Sequence, residues 1–242
     1  MPDDPDLFAS TTVPDDADAT DYRRNHRARL RARFAEGGAA ALQDYELLEM
    51  LLFAPLARVD TKPLAARLLK RFGTLAGVLS ADAAALREVA GAGPAVVEAL
   101  RLAEAVSHRM ARSSVMQRPV LSRWDDVLRY LRTAMAHRGT ESLRVLYLDR
   151  KNVLIADEEA GRGTVDHVPV YPREVMKRAL ALNASALILV HNHPSGDPTP
   201  SRADIDVTRA LKAAGEVLGI VLHDHLIVGR ATEVSFRAEG LL

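Results

Sequence analysis

The 242-residue sequence contains no cysteine. That excludes disulfides, thiolate metal sites and cysteine nucleophiles. It also removes the Cys-x-x-Cys ligands that a zinc nucleobase deaminase needs. No apolar run approaches the roughly 20 residues required to cross a bilayer. The first residues are acidic and polar, unlike a secretory signal. A soluble, cytoplasmic protein without membrane attachment is expected. No His-Glu-x-x-His pattern occurs, so a thermolysin-like site is excluded as well.

The length suits one large domain or two smaller ones, and an apolar content of 48% is ordinary for a globular chain. Net charge is zero but unevenly spread. Residues 1–21 hold seven Asp and no Lys or Arg, residues 22–121 hold 16 basic and 9 acidic residues, and the rest hold 16 of each. Residues 1–21 therefore read as a disordered acidic tail. Six arginines between Arg23 and Arg33 have no acid among them. Their spacing with Leu30 and Phe34 allows a short helix. That helix is either a solvated face pairing with the acidic tail or a contact for nucleic acid.

Residues 22–110 read as an all-helical domain. Tyr45 to Phe53 is densely apolar. Thr61-Lys62-Pro63 opens a helix whose stripe is Leu64, Leu68, Leu69 and Phe72, closed by Gly73. Ala90-Gly91-Ala92-Gly93-Pro94 separates two helical segments. Helix, Gly-x-Gly turn, helix resembles the helix-hairpin-helix motif, in which Gly91 and Gly93 would let backbone N–H groups approach a DNA phosphate. An ordinary tight turn gives the same pattern. Residues 111–120 lack periodicity and read as a linker, so DNA contact would involve residues 22–118.

Residues 121–242 alternate strands and helices. Ser122 caps an amphipathic helix. Leu143, Val145 and Tyr147 alternate with Arg144, Leu146 and Leu148 in a strand. Further strands are expected at 153–156, 164–168, around 186–193 and at 220–228, with helices at 171–182 and 204–217. The fold class is α/β (α+β): a small helical domain, then a mixed sheet flanked by helices.

The most informative stretch runs from Ala186 to Asp204. A buried apolar strand delivers His191 and His193, two residues apart and so on one face. Three prolines and a glycine then form an irregular loop. Ser201 and Asp204 open the next helix. A structural histidine pair followed by a Ser201-x-x-Asp204 capping box would account for each fragment separately. Together they match a catalytic zinc site with three N/O ligands, His191, His193 and Asp204, and one position open to water. Downstream, His223-Asp224-His225 alternates so that both histidines would share a face. They read as ordinary strand-end residues or as a partner behind a zinc ligand.

His-x-His, seven residues, Ser, two residues, Asp resembles the motif of the JAMM (MPN, or JAB) zinc metallohydrolases. The longer His191-Asn192-His193-Pro194-Ser195-Gly196-Asp197-Pro198 form is similar to one branch, the bacterial RadC-like proteins. So are Asp224-His225-Leu226-Ile227-Val228-Gly229 and Pro172-Arg173-Glu174-Val175. The resemblance covers roughly residues 40–242. It implies a JAB/MPN-like fold for residues 121–242, one Zn2+ per chain, and hydrolysis of a peptide or isopeptide bond. It further implies a glutamate base at the start of an early strand, with Ser201 helping to position the water or the oxyanion. Glu141 fits that base by position, and Glu174 is the rival because it lies in a motif of the branch. The alternative reading is a DNA-associated protein, linked to repair or recombination, with a structural or vestigial zinc site.

Overall fold

The computed structural model describes residues 16–163 and 170–242. Most of the expected acidic tail and the strand expected at 164–168 lie outside the described residues. The first half is helical: α1 (Asp16–Gly37), α2 (Asp44–Leu51), α3 (Lys62–Phe72), α4 (Leu75–Leu79), α5 (Ala83–Arg87) and α6 (Pro94–Val115). The second half runs α7 (Trp124–Met135), β1 (Ser142–Leu148), β2 (Leu154–Arg162), α8 (Pro172–Ala181), β3 (Ala186–Asn192), α9 (Arg202–Leu218), β4 (Val221–Val228) and β5 (Glu233–Ser235). Among the described residues no helix is long and apolar enough to cross a membrane.

Two boundaries differ from expectation. Helix α1 begins at Asp16, so residues 16–21 are helical where disorder was expected. Helix α6 continues to Val115, five residues into the expected linker. Beyond it the chain is pinned and not free. The Gln117 and Val120 N–H groups donate to Leu154 and Asn152 carbonyls, and Leu154 N–H donates to Arg118. Val115 and Val120 are buried in the core of the sheet.

The sheet order is β2-β1-β3-β4-β5. β1 is antiparallel to both β2 and β3, β3 is parallel to β4, and β5 is antiparallel to β4. The alternation in β1 sorts its side chains as the period-2 rule requires. Leu146 and Leu148 meet the α7 face of Val127, Leu131 and Met135. Leu143, Val145 and Tyr147 meet Val175 and Ala179 of α8 and Leu211 of α9. β3 is covered on both faces, and all seven of its residues are buried. This is why its sequence reads as a continuous apolar run. The helical half packs Leu48, Leu64, Leu68, Val97 and Leu100 into a separate core.

Candidate metal centre

β3 carries its last residues out of the middle of the sheet. His191 sits opposite Leu143 of β1 and beside Ile227 of β4. His193 lies just past the strand, its N–H on the Val228 carbonyl. The loop then turns sharply: Gly196 N–H returns to the His193 carbonyl at 2.9 Å, with Gly196 at φ +90°, a conformation that favours glycine. A side chain at Gly229 would come within 2.5 Å of the Gly196 carbonyl. The loop is thus seated on the β4–β5 turn. It ends at Ser201, which caps α9 through a reciprocal box: Asp204 N–H donates to Ser201 Oγ at 3.2 Å and Ser201 N–H to Asp204 Oδ2 at 2.7 Å.

These three elements bring together the residues singled out as ligands. One donor atom from each of His191, His193 and Asp204 lies within 4.8 Å of the others, a grouping that can hold a metal ion. His191 Nε2 is 2.9 Å from His193 Nε2 and 3.2 Å from Asp204 Oδ1. His193 Nε2 is 3.6 Å from Asp204 Oδ2. His193 Nδ1 is 2.7 Å from the Asp197 carbonyl. A carbonyl only accepts, so Nδ1 carries the proton and Nε2 faces the cluster. Burial pushes the Asp204 carboxyl up, but the two imidazoles that face it and the hydrogen bond from Ser201 N–H outweigh burial and hold the group far below its ordinary value. His193 is raised, mainly by the facing Asp204 carboxylate, against the opposing effect of burial. Two neutral-capable imidazoles and a firmly ionised carboxylate are the donor chemistry of a zinc site.

Glu141 immediately precedes β1. Continuing the β1–β3 register by two residues sets it opposite His193. Its negative charge is among the influences that raise His193. Glu174 is placed elsewhere, in the first turn of α8. It is exposed and paired with Arg173 and Lys177. The Ser201 hydroxyl accepts from Asp204 N–H, which leaves its own proton for another acceptor. Gly91 and Gly93 sit far along the chain in the turn between α5 and α6. Gly91 has φ +93°, and a Cβ there would meet the Arg67 guanidinium at 3.2 Å. Gly93 has ordinary extended geometry as the N-cap of α6.

Two polar residues at the centre, Asn192 and Thr208, were not identified from the sequence, and a third, His225, was one of two open readings. Asn192 lies between the two histidines. It is buried, and its side-chain oxygen accepts from Ser142 N–H (3.1 Å) and Ser142 Oγ (2.9 Å) while its amide donates to the Thr140 carbonyl (3.1 Å). It therefore grips the residues on both sides of Glu141. Thr208 lies on α9 one turn after Asp204. His225 was weighed as a strand-end residue or as a partner behind a ligand, and it is fully buried behind the candidate ligand His191, with Nε2 2.8 Å from His191 Nδ1. The expected sharing of a face by His223 and His225 fails, because the β3–β4 register shifts between Leu187 and Ile188. His223 bonds Asn152 and lines a cavity with Asp224 and Trp124, whereas His225 turns to Thr208.

The architecture and donor set together define a JAB-type domain with a candidate metal site. A family model described as the RadC-like JAB domain matches residues 121–241. The chain is 65% identical over 221 residues to the UPF0758 protein SPO0054 of Ruegeria pomeroyi, an overlap of 91% of this chain and 99% of that one. It is 66% identical over 213 residues to a UPF0758 protein of Rhodobacter capsulatus, covering 88% and 100%. The chain belongs to the RadC-like JAB domain family.

Proposed function

We propose that the protein is a zinc-dependent hydrolase that cleaves a peptide or isopeptide bond. The observation that carries this reading is the convergence of His191, His193 and Asp204 within 4.8 Å at the end of a buried strand. These three residues would hold the ion. When bound, zinc supplies a Lewis acid and brings the pKa of a water into the neutral range. Glu141 takes the proton as the water oxygen attacks the carbonyl carbon, and returns it to the leaving nitrogen as the C–N bond breaks. Asn192 holds Glu141's neighbours in place while this happens. The Ser201 hydroxyl, at the mouth of α9, donates to the oxygen on which charge develops. A cavity of about 720 Å3 between the helical half and the metal loop, reaching Pro194, Arg138 and Arg230, is the approach for an extended substrate.

The test is hydrolysis of peptide and isopeptide-conjugate libraries by the full chain, with and without chelator. Glu141→Gln keeps the shape and removes the base. Zinc should stay bound while chelator-sensitive cleavage falls about 10²–10⁴-fold. Unchanged cleavage in Glu141→Gln with loss in Glu174→Gln would transfer the role to Glu174. Absence of any chelator-sensitive cleavage would contradict the hydrolase reading.

A second reading takes residues 22–118 as a DNA contact. The tight α5–α6 turn favours it, since no acidic residue lies in the first turn of α6. The arginine cluster supports it less. Arg27 is spent on the Leu56, Ala57 and Val59 carbonyls, and Arg33 on Glu46.

A further inference from the structure

We propose that Thr208 and His225 are positioning residues that hold His191 in its Nδ1–H form, so that its Nε2 lone pair is presented to the metal. The inference rests on the reading of His191, His193 and Asp204 as ligands. It assigns a role to two residues outside that set, one on α9 and one on β4.

A chain of hydrogen bonds fixes the position of each proton. It begins at the Asp204 main-chain carbonyl, which accepts and cannot donate. Thr208 Oγ lies 2.5 Å from that oxygen, so the hydroxyl proton is committed there. Thr208 Oγ also lies 2.6 Å from His225 Nδ1. Having given its proton to the carbonyl, it can only accept, and His225 Nδ1 must carry the proton. His225 is fully buried and stacks on Phe236 at 4.6 Å. Its ring nitrogens meet Thr208 and His191, neither of them an anion, so a doubly protonated ring there would be a buried charge without a counter-ion. His225 Nε2 is therefore a lone pair. His191 Nδ1, 2.8 Å away, must donate to it. The remaining nitrogen of His191 is then unprotonated, and it is the one facing His193 and Asp204.

The chain starts on one ligand residue and ends on another. It thereby links the backbone of Asp204 on α9 to the ring of His191 on β3, through β4. Reversing any one bond would push a proton onto His191 Nε2, where it competes directly with the metal. Outer partners of this kind ordinarily fix the ring orientation and tautomer of a ligating histidine.

The test uses the full chain, zinc as the probe, and two readouts independent of turnover. Zinc affinity is measured by competition with a chelator. The tautomer of His191 is read from ring 15N chemical shifts in metal-stripped protein. Thr208→Val keeps the shape and removes the hydroxyl, Thr208→Ser keeps the hydroxyl, and His225→Phe removes the acceptor. The expected result is affinity lowered about 10–100-fold in Thr208→Val and His225→Phe, near-wild-type affinity in Thr208→Ser, and a proton on His191 Nδ1 in the wild type. Should His225→Phe fail to fold, the near-isosteric Thr208→Val decides. Wild-type affinity in Thr208→Val, or a proton on Nε2 of His191 in the wild type, overturns the relay. Unchanged affinity in His191→Ala overturns the ligand reading itself, and the relay with it.

Discussion

His193 faces the Asp204 carboxylate on one ring nitrogen and donates to the Asp197 carbonyl from the other, and both raise its pKa against the opposing effect of burial. The sign of the resulting pH dependence follows. A raised pKa means that metal-stripped protein still holds this proton above the ordinary imidazole value of about 6.5. A metal ion must displace it. Zinc affinity should therefore begin to fall on acidification while the pH is still above that value. Asp204 is held low by its histidine partners and stays ionised throughout. Affinity measured across a pH series checks this, and a flat profile down to pH 6 would contradict it. Asn192→Ala makes a different prediction. It strips three hydrogen bonds from Thr140 and Ser142, which should cost about 1–3 kcal/mol of stability on denaturant unfolding. Asn192 bears no ligand atom, so zinc should remain, while hydrolysis falls because Glu141 loses its support. Loss of zinc in Asn192→Ala would show the clamp to be part of the metal site. The candidate ligand cluster was legible at this scale because spacing and residue type are local. Asn192 and Thr208 were not, and His225 stayed one of two readings, because their places depend on which element lies beside which.

Among the elements, β3 does most to place the site. Its register against β1 and β4 sets where His191 emerges, and burial on both faces fixes that register. Leu189 is wholly buried among Val145, Val175 and Leu211. Leu189→Ala should cost about 2–5 kcal/mol. Denaturant unfolding measures it, and a cost under about 1 kcal/mol would show that this strand is not the anchor. The apolar run made β3 readable in the sequence, and the alternation did the same for β1. β2 was read as ending at Ala156 because Asp157, Glu158 and Glu159 follow. The structure continues it to Arg162, since each acid has a cationic partner: Arg144, Arg178 and Arg138 respectively. Tyr130 also donates to the buried Asp157, and burial together with that carboxylate drives the phenol far above its ordinary value. β5 was missed outright. Three residues give no period, and its place is set by Ser235 and Arg237 binding the buried Asp224.

At the scale of the whole molecule, a basic helical half precedes a sheet domain that carries the candidate metal centre. If residues 22–118 do contact phosphates, the affinity of the full chain for duplex DNA should fall steeply with salt and depend little on sequence. No binding at low ionic strength would remove that second reading and leave the hydrolase proposal untouched. The sheet domain has its own core on both faces, so the fold should survive removal of the metal. That allows the central claim to be tested on folded protein, by measuring zinc per chain after saturation and desalting for the wild type, His191→Ala, His193→Ala, Asp204→Ala and Glu141→Gln. The account predicts one zinc per chain in the wild type and in Glu141→Gln, and a sharp loss in each of the other three. Full occupancy in His191→Ala, His193→Ala or Asp204→Ala would contradict it.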